Sequence, residues 1–503
     1  MCGLRKIEFV GVSNHRSLYL RLVLSHDGTD QVRPRVTIDK LPDEALLEIF
    51  EFYLAYPLSP RSHKEDAWHM LVHVCQRWRC VVFGSPRRLD LRLLCINGRL
   101  TKTVDDIWPE LPIVIHVDDG RFCRSQGVIS VVSMLKRHDR VCKILIDGVP
   151  NSLLEELATT NGPFPALAEL GLMSFGGGPP ILPDSFLGGS VPSLRSLKLW
   201  GIPFPGIGSL LSSTRDLVNL SLGFIPRSTH FSPEAMVDIL SSLTKLKTLH
   251  LNFYHSETPQ FSAHRASQCP PALTRVVLPI LTSLDFYGNS EYLENMVSRI
   301  DAPLDRFFVT FSNELAVSDI PLLCDFIRRT KIHISPHQAD ASLSNNGARI
   351  ALFQRKGDID LKVLNLKIPC SPDAVESQLS SLAQACSTFL PPLPNLEHLA
   401  IYNAKLFLFR WQHEVDNARW VELLRPFTTV KDLILDELVV LSVASALQEL
   451  VGERVTEILP VLQTIFLEGS PPSGLIPEGI AKFVTAREVS GHPVIVRHRE
   501  RKQ

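Results

Sequence analysis

Gly176-Gly-Gly-Pro-Pro180 has the glycine density of a loop that cradles phosphate. It lacks the Lys-Ser/Thr pair that contacts phosphate and magnesium, and its prolines stop a helix from opening at once, so it reads as a loop between elements. A G-x-S-x-G elbow and an H-E-x-x-H zinc motif are both absent. The ten cysteines contain no C-x-x-C pair, Cys75 and Cys80 stand too far apart for a zinc knuckle, and the 17 histidines are dispersed. No catalytic residue, metal ligand or cofactor is therefore assigned. Thiols buried in a reducing compartment are the simplest account of the cysteines, which points to cytosol or nucleus. An enzyme built from distant residues stays open at this level.

The chemistry on offer is therefore recognition. Composition is ordinary for a globular chain: 503 residues, 45% hydrophobic and 21% charged. A net charge of −1 gives no global field for nucleic acid or an anionic membrane, and no apolar run reaches the length of a membrane helix. Arg5, Lys6 and Glu8 break any signal-peptide pattern. Residues 1–35 are expected to be a leader, either a hairpin around Leu18–Leu24 or a poorly ordered segment. The basic tail Arg497–Lys502 has the composition of a nuclear signal and equally of a solvated terminus.

Residues 36–83 carry the first positioning elements. Pro42 suits a first helical position, and Asp43 and Glu44 suit the positive end of the helix dipole. Leu46, Ile49, Phe50, Tyr53 and Leu54 then form one apolar helix face, which Pro57 and Pro60 end. A second face follows at Trp68, Leu71, Val72, Cys75, Trp78 and Val82. Such short amphipathic helices leave apolar surface for a partner or for the rest of the chain. The stretch Leu41-Pro-Asp-Glu-Ala-Leu-Leu-Glu-Ile-Phe50, followed by Val74-Cys-Gln-Arg-Trp-Arg79, resembles the F-box. The longer, polar stretch from Ala55 to Glu65 is similar to the F-box-like variant common in basidiomycete fungi. The resemblance implies docking on a Skp-type adaptor, and through it a cullin, by Leu41, Pro42, Leu46, Ile49, Phe50, Val74, Cys75 and Trp78.

The rest of the chain repeats. The pattern L-x-x-L-x-L, with other apolar residues allowed, begins at Val141, Leu167, Leu194, Leu217, Leu246, Leu281, Leu304, Leu361, Leu396, Val430 and Leu462. A weaker copy, Arg329–Ile334, falls in the one wide gap, and Leu89–Leu93 and Ile113–Val117 read as degenerate early coils within 84–140. Helical signals lie between the copies: Ser232-Pro233, Ser371-Pro372, Asp416–Phe427 and Pro477–Val489. Strand, loop, helix and return predict an α/β fold, a parallel sheet with helices outside it; a doubly wound α/β domain is the rival. The region 141–503 resembles an irregular leucine-rich-repeat solenoid. It departs from that family in its asparagine ladder, whose position is filled by Asn only at Asn289.

In each copy the fourth and sixth residues should face the core and the third, fifth and seventh the open face. That places Trp200, His250, Tyr287, Arg306 and Tyr402 as candidate contacts for an unknown protein substrate, with acidity rising toward Asp432, Asp436 and Glu468. Phe308 and Phe466 belong to the same face or pack under neighbouring loops. Together the two resemblances imply a non-catalytic substrate-recognition subunit of a Skp–cullin–F-box ubiquitin ligase. A repeat scaffold without a ligase link is the alternative. Neither nucleic acid nor membrane is expected as a partner.

Overall fold

Proline, acidic residues and spaced leucines open a helix where the sequence places one. The computed structural model describes residues 38–55, 67–96, 111–117, 125–159, 162–174, 178, 180–224, 231–253, 275–313, 320–330, 335–344, 347–370, 375–388, 390, 393–403, 416–450, 452–469 and 476–499. The leader at 1–35, Pro57, Pro60, Gly176, Gly177, Pro179, the Ser371-Pro372 cap and the end of the basic tail lie outside them. The chain divides into two compact units, Met1–Leu91 and Arg92–Gln503.

In the first unit, α1 spans Asp43–Ala55. The Pro42 carbonyl accepts from Ala45 and Leu46 N–H groups at 3.1 Å. The second apolar face is split between two helices, α2 (Trp68–Val72) and α3 (Gln76–Gly84). The break has a local cause. Cys75 is extended, and its Sγ caps α3 by accepting from the Trp78 N–H at 3.4 Å. Leu46, Phe50, Leu54, Trp68, Leu71, Val72 and Val82 are buried.

The second unit is a mostly parallel sheet of 16 strands. In chain order these are β1 (Leu93–Ile96), β2 (Ile113–Val117), β3 (Val141–Asp147), β4 (Glu169–Met173), β5 (Ser196–Trp200), β6 (Asn219–Gly223), β7 (Thr248–Asn252) and β8 (Ser283–Gly288). There follow β9 (Arg306–Phe311), β10 (Gln338–Ser344), β11 (Gly347–Lys356), β12 (Ile359–Ile368), β13 (His398–Asn403), β14 (Asp432–Asp436), β15 (Thr464–Glu468) and β16 (Ile495–Arg499). Every repeat start from Val141 to Val430 and Leu462 yields one of these strands. The first expected coil is displaced: Leu89–Leu91 is turn, Asp90 having φ 47°, and the strand begins at Leu93.

The described helices between strands are α4 (Ser125–Leu135), α5 (Asn151–Thr159), α6 (Ile207–Ser212), α7 (Pro233–Ser241), α8 (Ser290–Val297), α9 (Pro321–Arg329), α10 (Val375–Thr388), α11 (Asn417–Leu424), α12 (Val440–Gln448) and α13 (Glu478–Val489). Caps read from the sequence are in place: Ser232 accepts from Ala235 N–H at 3.2 Å, and Asp416 from Ala418 N–H at 2.9 Å. Asn289 belongs to no ladder. It caps α8 by accepting from Glu291 N–H at 2.7 Å. Backbone groups take over that role between coils, as where Gly201 N–H donates to Gly223 O at 2.8 Å and Phe253 N–H to Tyr287 O at 2.8 Å.

Sheet order follows chain order from β1 to β9, which excludes the doubly wound arrangement, whose order reverses about a switch point. It is then broken once. The order runs β9-β12-β11-β10-β13, and β11 is antiparallel to both of its neighbours. The chain leaves β9, passes two strand positions, and returns through two hairpins before going on to β13. The expected weak coil at Arg329–Ile334 is not what fills this gap: Arg329 closes α9, and Lys331–Ile334 lie outside the described residues. Gly347 begins the return strand with φ 141°, and a Cβ there would stand 2.1 Å from the Ile368 carbonyl oxygen.

Two buried ionisable groups hold successive coils together. Glu294 on α8 caps the next helix, accepting from Leu322 and Leu323 N–H groups of α9 at 2.9 and 2.5 Å. Arg487 on α13 is fully buried and donates to the carbonyls of Val455, Leu459, Pro460 and Leu462 at 3.2 to 3.4 Å. Truncating it would strand these carbonyls, and Arg487→Ala is expected to cost ~3 kcal/mol in chemical denaturation. Burial pushes the Glu294 carboxyl up from 4.5 to about 7. The folded chain therefore keeps a proton that the unfolded chain has released, so this contribution is complete below about 4.5 and is lost as pH rises through about 7. The melting temperature should fall across that window, and Glu294→Gln should flatten the fall; an identical pH profile for the variant would refute the assignment.

Candidate functional site

Strand alternation sorts the open face from the core without exception in the central coils. On β5, Leu197 and Leu199 are buried while Ser196, Lys198 and Trp200 remain part-exposed; β7 repeats this with Leu249 and Leu251 against Thr248, His250 and Asn252. The parallel register then sets His250 beside Ser221 on one side and Asp285 on the other. Asp285 in turn lies beside Phe308.

These rows bring four of the five expected contacts onto neighbouring strands. The Trp200 indole reaches across β6, donates from Nε1 to Ser221 Oγ at 2.9 Å, and stacks on the His250 ring at 5.5 Å and 9°. Gly223 makes room for it, since a Cβ there would meet the indole at 2.7 Å. Lys198 Nζ lies 4.9 Å from the indole centroid. His250 Nδ1 is 3.7 Å from Asp285 Oδ2, and Arg306 pairs with the same oxygen at 3.2 Å. The Arg306 guanidinium covers Phe308 at 4.2 Å. Tyr287 lies one row along, between Asn252 and Thr310. The buried atoms His250 Nε2, Asn252 Oδ1 and Asp285 Oδ1 find no partner within the chain, so this patch keeps hydrogen-bonding capacity for another molecule.

Tyr402 does not join the cluster. It sits beside Ser342, four strand steps from β9, or about 19 Å along the sheet. Asp436 also departs from the expected face: it is buried and accepts from Leu438 N–H at 2.8 Å, closing the turn after β14. Asp432 pairs with His398 at 2.9 Å and Glu468 with Arg499 at 3.8 Å, so the acidic flank is partly matched.

The interposed hairpins bring residues that the repeat pattern passed over. Arg349 lies directly opposite Lys367, and Lys362 opposite Phe353. Arg349 donates to Asn365 Oδ1 at 2.6 Å, and Lys362 Nζ lies 5.6 Å from the Phe353 centroid. Burial pulls the Lys362 ammonium pKa down, with Arg349 and Arg306 adding repulsion. Burial pushes the Asp340 carboxyl up, opposed by its bond from Gln338 and by Arg349 and Lys362. A period-two alternation over Ala348–Phe353 was the available signal for this strand.

The helical unit joins its two motif segments. Arg77 donates to the Leu41 carbonyl at 2.5 Å and pairs with Asp43 at 2.6 Å, and Trp78 packs on Phe50 at 4.7 Å. Leu46 and Phe50 are wholly buried, so they serve the unit's own core. Pro42 and Val74 are exposed, Leu41, Ile49, Cys75 and Trp78 partly so, and Met70 adds further exposed apolar surface.

Among the described residues, no group of three or more His, Cys, Asp or Glu is placed to hold a metal ion, and no helix is long and apolar enough to cross a membrane. The sequence matches no protein-family model and no curated protein.

Neighbouring residues on one strand should respond in opposite ways. Leu249→Ala removes a buried side chain and is expected to cost ~3 kcal/mol in urea denaturation. His250→Ala opens no cavity and should cost under ~1 kcal/mol. Equal losses would contradict the strand register.

Proposed function

We propose that the chain is a non-catalytic substrate-recognition subunit of a Skp–cullin–F-box type ubiquitin ligase. Its F-box-like helices dock the adaptor, and the open face of its leucine-rich-repeat-like sheet takes the protein to be modified. What carries the reading is the junction at Arg77. It ties the Leu41-Pro42 turn to the Val74-Cys-x-x-Trp78 helix and leaves Pro42 and Val74 exposed side by side with the pattern the F-box resemblance calls for. The aromatic and charged cluster around Trp200, His250, Tyr287 and Arg306 supports the second half, since exposed aromatics and arginine are the usual anchors of protein interfaces.

Capture of a purified Skp-type adaptor by the full chain tests the first half. Burying one apolar side chain contributes ~1.5–3 kcal/mol, and each 1.4 kcal/mol is about tenfold in affinity. Pro42→Ala with Val74→Ala should therefore weaken capture by roughly 10- to 100-fold without lowering the melting temperature. Phe50→Ala should lower the melting temperature first. Full capture by the folded double variant would sink the proposal, and a wild-type chain that binds other proteins but never the adaptor would be a scaffold without a ligase link.

A further inference from the structure

The centre of the open face carries more positive charge than its neighbours balance. Three adjacent strands supply it: β9 gives Arg306, β12 gives Lys362 and Lys367, and β11 gives Arg349. Lys367 and Arg349 are directly opposite in an antiparallel pair, an arrangement that destabilises a sheet when both residues carry the same sign. Asp285 answers Arg306 at 3.2 Å. Among the described residues no carboxylate forms an ion pair with Arg349, Lys362 or Lys367; the groups they do meet are the Asn365 amide oxygen and the Phe353 ring. Phe308 and Phe353 supply apolar surface next to the cations, each with a cationic group over its ring.

A sheet built only for stability would alternate the signs here. Four cations on three strands instead form a receptor for negative charge. The step from β9 to β11 is two strand spacings, about 10 Å, which an extended peptide crosses in about three residues. Two carboxylates at that separation reach both guanidinium groups, whose planar forks suit carboxylate oxygens.

We propose that this centre binds an acidic segment of a partner protein, an extended peptide with two or more carboxylates next to an aromatic side chain. The proposal rests on the reading of the open face as the partner-binding surface. It adds the chemical class of what binds there. Binding relieves the repulsion between Arg349 and Lys367 and returns to Lys362 an interaction that burial has removed from water.

The test is fluorescence anisotropy of the full chain with labelled, capped Ala-Glu-Phe-Glu-Glu-Ala, compared with peptides carrying Gln, Lys or phosphoserine in place of Glu, at low and high salt. The Glu peptide should bind at least about tenfold more tightly than the Gln peptide, a gap of about 1.4 kcal/mol, and should weaken with salt. The Lys peptide should not bind. Arg349→Gln with Lys367→Gln should lower affinity by about tenfold or more, while its melting temperature holds or rises because a repulsion has been removed. Equal binding of the Gln peptide, full affinity in the double variant, or a lowered melting temperature in it would each overturn the proposal. Preference for the phosphoserine peptide, or for a single-stranded RNA included as a competitor, would overturn the assignment to carboxylates. Adaptor capture by the same double variant should be intact. A wild-type chain that captures no adaptor but binds the Glu peptide would defeat the ligase reading and leave the acidic-segment site standing.

Discussion

One backbone arrangement recurs at the start of each coil and fixes everything downstream of it. The carbonyl ahead of a strand accepts two consecutive N–H groups from the next coil. Ala168 O takes Arg195 and Ser196 at 2.8 and 3.1 Å, Arg195 O takes Val218 and Asn219 at 2.8 and 3.0 Å, and Lys431 O does the same for Gln463 and Thr464 at 2.8 and 3.0 Å. The shared acceptor sets the parallel register of each new strand against the one before. A slip of one residue would turn Leu197, Leu220 and Leu249 out to water and Trp200 and His250 into the core, so the apolar pattern and the backbone bonds enforce the same pairing. The open face is the necessary other side of that choice.

Small residues then decide what the face can hold. Trp200 lies flat toward His250 because Gly223 and Ser221 leave the space between them. Asp285 links the ring of His250 to the guanidinium of Arg306, which itself rests on Phe308. Exposed ion pairs of this kind add little to folding, on the order of 0–1 kcal/mol. Their effect is positional, since they hold the aromatic surfaces and the charges in one orientation. Such ordering before contact lowers the entropy lost when a partner docks.

The reversal between β9 and β13 is the one place where the coil-by-coil rule gives way. It inserts an antiparallel strand, places like charges opposite each other, and separates Tyr402 from the Trp200 cluster. Local rules are commonly broken at functional sites. The result is a basic centre between an aromatic patch and an acidic flank, a surface with distinct ends along which a bound chain has a preferred direction. The helical unit offers a different kind of surface, small and apolar around Pro42 and Val74, consistent with a second and separate partner.

By itself the sequence determined the elements with local signatures. The L-x-x-L-x-L spacing located strands, because burial on one face imposes a period of two that any reader of leucines can follow. Ser232, Asp416 and Pro42 marked helix starts, because capping and the missing proline N–H act within a single turn. Alternation alone named Trp200, His250, Tyr287 and Arg306 as outward-facing. Tertiary structure decided what lies next to what. The strand Gln338–Ser344 is made of small and polar residues with no leucine pattern, and its position beside β13 depends on pairing across dozens of residues. The same holds for Arg349 against Lys367, for Glu294 capping a helix on the next coil, and for Asn289, which turned from ladder to cap. Those outcomes are set by hydrogen bonds and burial between distant segments, which leave no fixed spacing in the chain.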